Sequence, residues 1–299
     1  MTAAPRTLLP GLAARDVEVD GVRLRVAVGG DGPPVLLLHG HPQTHATWRD
    51  VVPALARRHT VVAPDLRGYG DSDVPPSDRE HRPYSKRVMA AEAVALMRHL
   101  GHERFAVVGH DRGGRVAHRM VLDHPDAVTR LAVLDIAPTL TMYERTDQDF
   151  ATRYFWWFFL IQPAPLPETL IAGAREAFLA EHLARQSATP GVPDQELAAE
   201  YRRCYRDANV HAICEDYRAA ATVDLAHDRA DRDAGRRLGR PLLALWGSRG
   251  TVGRTYDVLQ TWREVSDAAV DGAALECGHV PQEERPAEVA ERLEGFLSG

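Results

Sequence analysis

One short segment constrains the fold of this chain more than any other. Residues 105–108 form an apolar run typical of a buried strand, and Gly109, Asp111 and Gly113 follow at alternate positions. Small residues two positions before and after the apex allow the backbone of a sharp strand-to-helix turn to pass close to itself. A helix beginning there directs its unpaired N–H groups at the apex. The segment therefore predicts a turn that presents an ionised Asp111 as a nucleophile; the alternative is a surface Asp-Gly turn.

Other apolar runs surround this turn at intervals typical of a parallel sheet covered by helices. They occupy residues 35–38, 60–63, 105–108, 131–134 and 242–246. Between about 138 and 226 the pattern becomes helical and rich in aromatic residues, with no clear strand. We expect an α/β fold in which residues 1–137 and 227–299 form the core domain and residues 138–226 form an inserted helical cap, or lid.

Charge and composition restrict the partners of the chain. Its 299 residues carry a formal net charge of -6 without a basic block, which argues against nucleic acid and anionic membranes. No apolar run approaches the roughly 20 residues of a membrane span. The three cysteines lack paired metal-ligand spacing. We therefore expect a cytoplasmic protein that acts on small molecules, with no membrane or nucleic-acid partner.

The loop after the first strong strand contains several histidines. His39, His41 and His45 lie within seven positions, but no acidic or cysteine ligand is near them in sequence, so we expect no metal and no cofactor. The sequence instead favours an oxyanion loop, in which the backbone N–H of His41 faces developing negative charge and Pro42 shapes the turn through a cis peptide.

A carboxylate nucleophile needs a base that activates water against the ester it forms. His279 follows Gly278 near the end of the chain, after the nucleophile in chain order, and is the predicted base. The loop at residues 247–253 contains no carboxylate, so Asp135, which closes the preceding strand, is the predicted acid that orients His279. The alternative for Asp135 is a helix or turn cap.

Two arginines follow the predicted nucleophile. Arg112 and Arg115 lie three residues apart on the first helical turn and can point to a common side. Guanidinium groups bind carboxylates in a bidentate manner, so this pair indicates a substrate that itself carries a carboxylate. The alternative is a salt-bridged scaffold. Together with an aspartate nucleophile, the arginines suggest a small halogenated acid.

With these features the chain resembles the haloacetate (fluoroacetate) dehalogenases of the α/β-hydrolase superfamily. The resemblance covers most of the chain, and its most specific segments are residues 39–44, 109–115, 157–168, 214–219 and 278–279. It implies an α/β-hydrolase fold, a homodimer and a hydrolase that acts on carbon–halogen bonds. The implied reaction converts a haloacetate and water into glycolate and halide.

The resemblance also implies a role for each candidate site residue. Asp111 attacks the halogen-bearing carbon and forms an ester while the two arginines hold the substrate carboxylate. His279, oriented by Asp135, then activates water. The oxyanion formed in this second step meets the backbone N–H of His41.

Halide departure depends on hydrogen-bond donors in the cap. The resemblance maps two of them to Trp157 and Tyr217, and the halide pocket also includes Trp156. Fluoride-active relatives typically have histidine where this chain has Trp156, so we expect chloroacetate or bromoacetate to be cleaved faster than fluoroacetate. The alternative for both tryptophans is packing within the cap.

Other activities fit part of this pattern. An epoxide hydrolase shares the aspartate nucleophile and histidine base and uses two cap tyrosines, for which Tyr154 or Tyr143 could join Tyr217. A neutral epoxide gives the paired arginines nothing to bind. A haloalkane dehalogenase would have tryptophan where Arg112 stands. A receptor of the same fold that binds a small acid without turnover is the alternative outside enzymes.

Overall fold

The computed structural model describes residues 6–299, which contain an eight-stranded sheet. Its strands are β1 (Ala13–Val19), β2 (Val22–Gly29), β3 (Pro34–Leu38), β4 (Thr60–Pro64), β5 (Phe105–His110), β6 (Val128–Leu134), β7 (Leu242–Gly247) and β8 (Val270–Leu275). They are ordered β1-β2-β4-β3-β5-β6-β7-β8, with antiparallel pairing only at β1/β2 and β2/β4. All five predicted strands are confirmed, whereas β1, β2 and β8 were not predicted.

Helices surround the sheet and connect its strands. They are α1 (Val52–Leu55), α2 (Lys86–His99), α3 (Asp111–Asp123), α4 (Thr139–Glu144), α5 (Gln148–Arg153), α6 (Phe155–Leu160), α7 (Leu166–Gly173), α8 (Arg175–Gln186), α9 (Gln195–Cys204), α10 (Asp207–Ala221), α11 (Val223–Asp233), α12 (Thr251–Thr255), α13 (Val258–Arg263), α14 (Pro281–Glu284) and α15 (Pro286–Ser298). The prediction of a mostly parallel sheet flanked by helices is confirmed. Within residues 6–299, no helix combines the length and the apolar character that a membrane crossing requires.

Each face of the sheet has its own core. Side chains alternate between the two faces of a strand, so Val107 joins the core beneath α2 and α3, while Val108 joins the core beneath α1 and α15. Every residue of β5 is buried. Burial on both faces explains why the central strands are continuous apolar runs in the sequence.

The segment between β6 and β7 consists of helices joined by loops. It contains α4 to α11, and no strand lies between these two strands of the described chain. The boundary predicted at residue 226 falls inside α11, so the helical segment continues to Asp233. We call α4 to α11 the cap helices.

A buried ion cluster joins the cap helices to the sheet layer. Asp216 on α10 accepts hydrogen bonds at 2.8 and 2.9 Å from the Arg112 guanidinium on α3 and at 2.7 Å from the hydroxyl of Tyr69. Lys86 at the start of α2 is the third partner of the same carboxylate. Burial raises the pKa of Asp216, but attraction to Arg112 and Lys86 outweighs burial and holds that pKa below its usual value.

The turn between β5 and α3 has the predicted close approach. A Cβ added to Gly109 would lie closer than 3.0 Å to the backbone of Gly113, and one added to Gly113 would meet the backbone of Leu38 at a similar distance. Asp111 at the apex has a φ of 44°, in the left-handed region that non-glycine residues rarely adopt. Backbone strain of this kind is typical of functional turns.

Replacing Gly113 with alanine tests the importance of this close approach. We expect Gly113→Ala to lower the free energy of unfolding by about 1–3 kcal/mol, because the added methyl group meets backbone that has no room to shift. Gly295→Ala in α15 is the matched control, since nothing lies within 4 Å of its added Cβ. Urea denaturation should show the control unchanged or slightly stabilised, and equal effects of both substitutions would contradict the prediction.

Removing the charge of Asp216 tests the ion cluster. Asp216→Asn leaves Arg112 and Lys86 buried without their shared carboxylate, and we expect a loss of about 3–5 kcal/mol of unfolding free energy. Asp267→Asn is the control, because its pair with Arg237 is exposed and should contribute less than about 1 kcal/mol. Thermal and urea denaturation of both variants measure the difference. Similar stabilities of the two variants would show that the cluster does not secure the cap helices.

Candidate active site

Loops at the carboxyl ends of the parallel strands meet around one cavity. Asp111 follows β5, Asp135 follows β6 and His279 follows β8, as expected for functional loops in a sheet of this kind. The cavity measures about 220 Å³, and both Asp111 and His279 line it. Its cap side is formed by the aromatic side chains of Tyr154, Trp156, Trp157 and Tyr217.

Asp111 is buried at the base of the cavity and meets the predicted oxyanion loop. The backbone N–H of His41 donates a hydrogen bond of 3.1 Å to Oδ2 of Asp111. The His41–Pro42 peptide is cis, as predicted. Burial alone would raise the pKa of Asp111, but the positive charges of His279 and Arg112 outweigh it and hold that pKa below its usual value. The carboxylate is therefore ionised without a base.

His279 and Asp135 form a directly bonded pair. Nδ1 of His279 lies 2.5 Å from Oδ2 of Asp135, and Oδ1 of Asp135 accepts a 2.9 Å hydrogen bond from the backbone N–H of Gly247. Burial lowers the pKa of His279, but the hydrogen bond and charge of Asp135 more than compensate, so the net shift is upward. This pairing fixes the ring orientation and makes its other nitrogen a stronger base.

The two arginines differ in their environments. Arg112 is paired with Asp216, as the scaffold alternative would require, yet its Nη1 has no hydrogen-bond partner. Arg115 donates to Oγ1 of Thr139 at 2.9 Å and has no carboxylate partner among residues 6–299, while its Nε is also without a partner. Neither guanidinium lines the open cavity. Each nevertheless keeps a buried N–H group that an anionic ligand could satisfy.

Each of the two guanidinium groups packs against an aromatic ring that lines the cavity. The Tyr217 ring lies 4.2 Å from the Arg112 guanidinium carbon, and the Trp157 ring lies 4.6 Å from that of Arg115. Both rings also line the cavity, so they adjoin both the arginines and the space next to Asp111. The structure thus brings the predicted halide-pocket residues next to the predicted carboxylate-binding residues.

Trp156 occupies the same cavity wall but faces a histidine. Its ring centre lies 4.6 Å from that of His182 on α8, which is in turn 4.6 Å from the ring of His41. Burial and neighbouring positive charge hold the pKa of His182 well below its usual value, so its ring is neutral. An aromatic and imidazole layer therefore lies between the cap helices and the oxyanion loop.

Gln186 is a residue that sequence reasoning missed. Its side-chain Nε2 donates to the carbonyl oxygen of His41 at 2.7 Å, and its main-chain carbonyl oxygen accepts the backbone N–H of His279 at 2.6 Å. Gln186 at the end of α8 thus connects the loop of His41, through its side chain, with the loop of His279, through its backbone. Its only sequence signal is its position on the buried stripe of that helix, with Leu179, His182 and Leu183.

The histidines of the oxyanion loop do not converge. His39 accepts the backbone N–H of Leu66 at 3.0 Å, whereas Nδ1 of His45 lies 2.7 Å from Asp65. His41 carries neither contact, and both of its ring nitrogens are buried without a partner. His39 and His45 therefore have separate structural partners, and the three histidines do not cluster among residues 6–299.

Comparisons with known proteins agree with this geometry. Residues 33–286 match the family described as alpha/beta hydrolase fold. The chain is 44% identical to a fluoroacetate dehalogenase from Burkholderia sp, over 97% of this chain and 95% of that protein. It is 33% identical to a soluble epoxide hydrolase from Corynebacterium sp. (strain C12), over 94% and 95%. A crystal structure of a Salmonella enterica protein shares 56% identity and a TM-score of 0.96, covering 99% of this chain and 98% of that one. The chain belongs to the α/β-hydrolase family.

Proposed function

We propose that this hydrolase cleaves the carbon–halogen bond of a small haloacid, converting a haloacetate and water into glycolate and halide. The observation that carries the proposal is the pair of buried guanidinium groups beside an ionised nucleophile. Arg112 and Arg115 each retain one N–H group without a partner. A substrate carboxylate would satisfy both groups, whereas a neutral substrate would leave them unpaired.

The first step is a displacement at carbon. A carboxylate oxygen of Asp111 attacks the halogen-bearing carbon, the carbon–halogen bond breaks, and the halide leaves with the bonding electrons. The product is an ester between Asp111 and the substrate. The arginines hold the substrate carboxylate so that this carbon faces the nucleophile, and such positioning contributes much of the rate. Trp157, Tyr217 and Trp156 surround the departing halide.

The second step hydrolyses the ester. His279 removes a proton from water, and the resulting hydroxide attacks the carbonyl carbon of the Asp111 ester. The backbone N–H of His41 faces the oxyanion that forms there. Collapse of this intermediate breaks the bond to the glycolate oxygen, which takes up a proton, and regenerates the Asp111 carboxylate; one proton per turnover passes to solvent as His279 returns to its neutral form. Asp135 remains ionised and stabilises the protonated His279 during this step.

The similarity to a fluoroacetate dehalogenase over nearly the whole chain supports the same activity class. A second candidate is epoxide hydrolysis, which the similarity to a soluble epoxide hydrolase supports. Tyr154 and Tyr217 both line the cavity with Asp111 and could protonate an epoxide oxygen together. Tyr143 does not line this cavity. The paired arginines favour the haloacid.

Halide release tests the proposed function. Purified protein incubated with chloroacetate should release chloride and glycolate in equal amounts, because each turnover breaks one carbon–halogen bond. Asp111→Asn should abolish release, since the amide cannot form the ester. Styrene oxide, followed by diol formation, is the parallel assay for the second candidate. Diol formation without halide release would contradict the dehalogenase and favour the epoxide hydrolase. The absence of both products would contradict both candidate activities.

The identity of the leaving group tests the role of Trp156. We expect chloroacetate and bromoacetate to react faster than fluoroacetate, because fluoride needs stronger hydrogen bonding as its carbon bond breaks. Trp156→His should raise the ratio of fluoride to chloride release by about tenfold or more, a smaller effect than the roughly 100- to 1000-fold loss caused by removing one oxyanion donor.

Trp156→Phe serves as the control for this substitution. It keeps an aromatic ring in the wall of the cavity but has no donor, so it should leave the fluoride-to-chloride ratio unchanged or lower. Equal rates for fluoroacetate and chloroacetate in the unmodified protein would contradict the expected leaving-group preference. An unchanged ratio in Trp156→His would remove Trp156 from the halide pocket.

A further inference from the structure

The outer part of the active-site cavity is lined by arginines. Arg153 and Arg185 come from the cap helices, and Arg249 and Arg254 come from the loop and short helix after β7. Asp111 is the sole acidic residue among those that line the cavity in the described chain. The chain as a whole has a net charge of -6, so this concentration of positive charge runs against the general composition.

The existing partners of these arginines hold them weakly. Arg153 pairs with Asp149 at 2.7 Å, Arg185 pairs with Glu181 at 2.6 Å, and Arg249 pairs with Glu276. The three acidic side chains are 62%, 61% and 71% exposed, and none of them lines the cavity. Exposed pairs of this type contribute at most about 1 kcal/mol, so a ligand anion can replace the acid at little cost.

Arg254 has no acidic partner at all among residues 6–299, and its side chain is exposed. It and Arg249 belong to the sheet layer, while Arg153 and Arg185 belong to the cap helices. A group bound between them would therefore contact both layers. Clefts lined by one sign of charge concentrate the field and attract ions of the opposite sign.

The cavity is also larger than the proposed two-carbon substrate requires. A haloacetate bound between Asp111 and the guanidinium groups of Arg112 and Arg115 would occupy only the deep end of this cavity of about 220 Å³. We propose that the outer arginines form a second anion subsite, and that the preferred substrates are haloacids with a second carboxylate at their far end, such as chlorosuccinate. The inference rests on the proposed function for its chemistry: Asp111 displaces chloride from the carbon next to one carboxylate, and water then releases the hydroxy dicarboxylate.

Binding of unreactive acids tests the subsite without turnover. Succinate has the second carboxylate and propionate lacks it, and calorimetric titration of each into the protein gives their affinities. We expect succinate to bind about tenfold more tightly than propionate, as for one added charge-assisted contact. The double variant Arg249→Gln/Arg254→Gln should reduce this ratio to near one. Arg292→Gln, an exposed arginine of α15 outside this cavity, should leave the ratio unchanged.

Turnover tests the substrate class with a matched pair. Chlorosuccinate and α-chloropropionate both carry chlorine on a secondary carbon next to a carboxylate, so their kcat/KM ratio isolates the second anion. We expect a ratio of about ten in favour of chlorosuccinate, which falls towards one in the double variant. A ratio at or below one, with no preference for succinate in binding, would overturn the subsite even if chloroacetate is cleaved.

The two proposals fail in different ways. Selective succinate binding that depends on Arg249 and Arg254, without halide from any acid, would support the subsite and reject the dehalogenation. Simple long-range attraction would also favour the dianions, but that preference would disappear at moderate ionic strength or fall in Arg292→Gln as much as in the double variant, and either outcome would overturn the subsite.

Discussion

The buried carboxylate of Asp216 is the contact on which the arrangement of this active site depends. It lies on a cap helix but binds a guanidinium that belongs to the nucleophile's own helix, at 2.8 and 2.9 Å. Burying Arg112, Lys86 and Asp216 costs solvation free energy, which such a cluster recovers only when its geometry is well satisfied. This contact therefore couples the position of α10 to the orientation of Arg112, because α10 cannot shift without separating these buried charges.

This cluster also explains how two adjacent arginines can have different roles. Asp216 engages Nε and Nη2 of Arg112, which sets the plane of the guanidinium and leaves Nη1 free. Arg115 has only neutral partners, so its charge is not neutralised locally, and burial with the neighbouring Arg112 lowers its pKa. The main attraction for the Arg115 charge is Asp111, and Arg112 and Arg115 both lower the pKa of Asp111. The buried positive charge and the unpaired N–H groups of this site favour the binding of a small anion.

The grouping of the candidate catalytic side chains was predictable because chain order constrains it. In a parallel sheet the loops after β5, β6 and β8 meet at one edge. The local sequence patterns at Asp111, Asp135 and His279 were therefore enough to predict that these residues lie close together. The contacts of Asp216 and Gln186 could not be predicted in this way, because they depend on how separate cap helices pack onto loops that are distant in the sequence. The strands that sequence reasoning missed are partly exposed: β1 and β8 lie at the edges of the sheet and lack a continuous apolar run.

The sheet layer and the cap helices hold their cavity residues by different kinds of contact. The sheet positions Asp111, His279 and the loop of His41 through short backbone contacts that allow little variation, such as the close approach at Gly113. The cap helices contribute aromatic rings of the cavity wall and two of the four outer arginines, which are held by side-chain packing and exposed ion pairs. Side chains of this kind can change without disturbing the sheet. The sheet layer therefore constrains the positions of Asp111, Asp135 and His279, whereas the cap helices supply cavity side chains that can vary on the same scaffold.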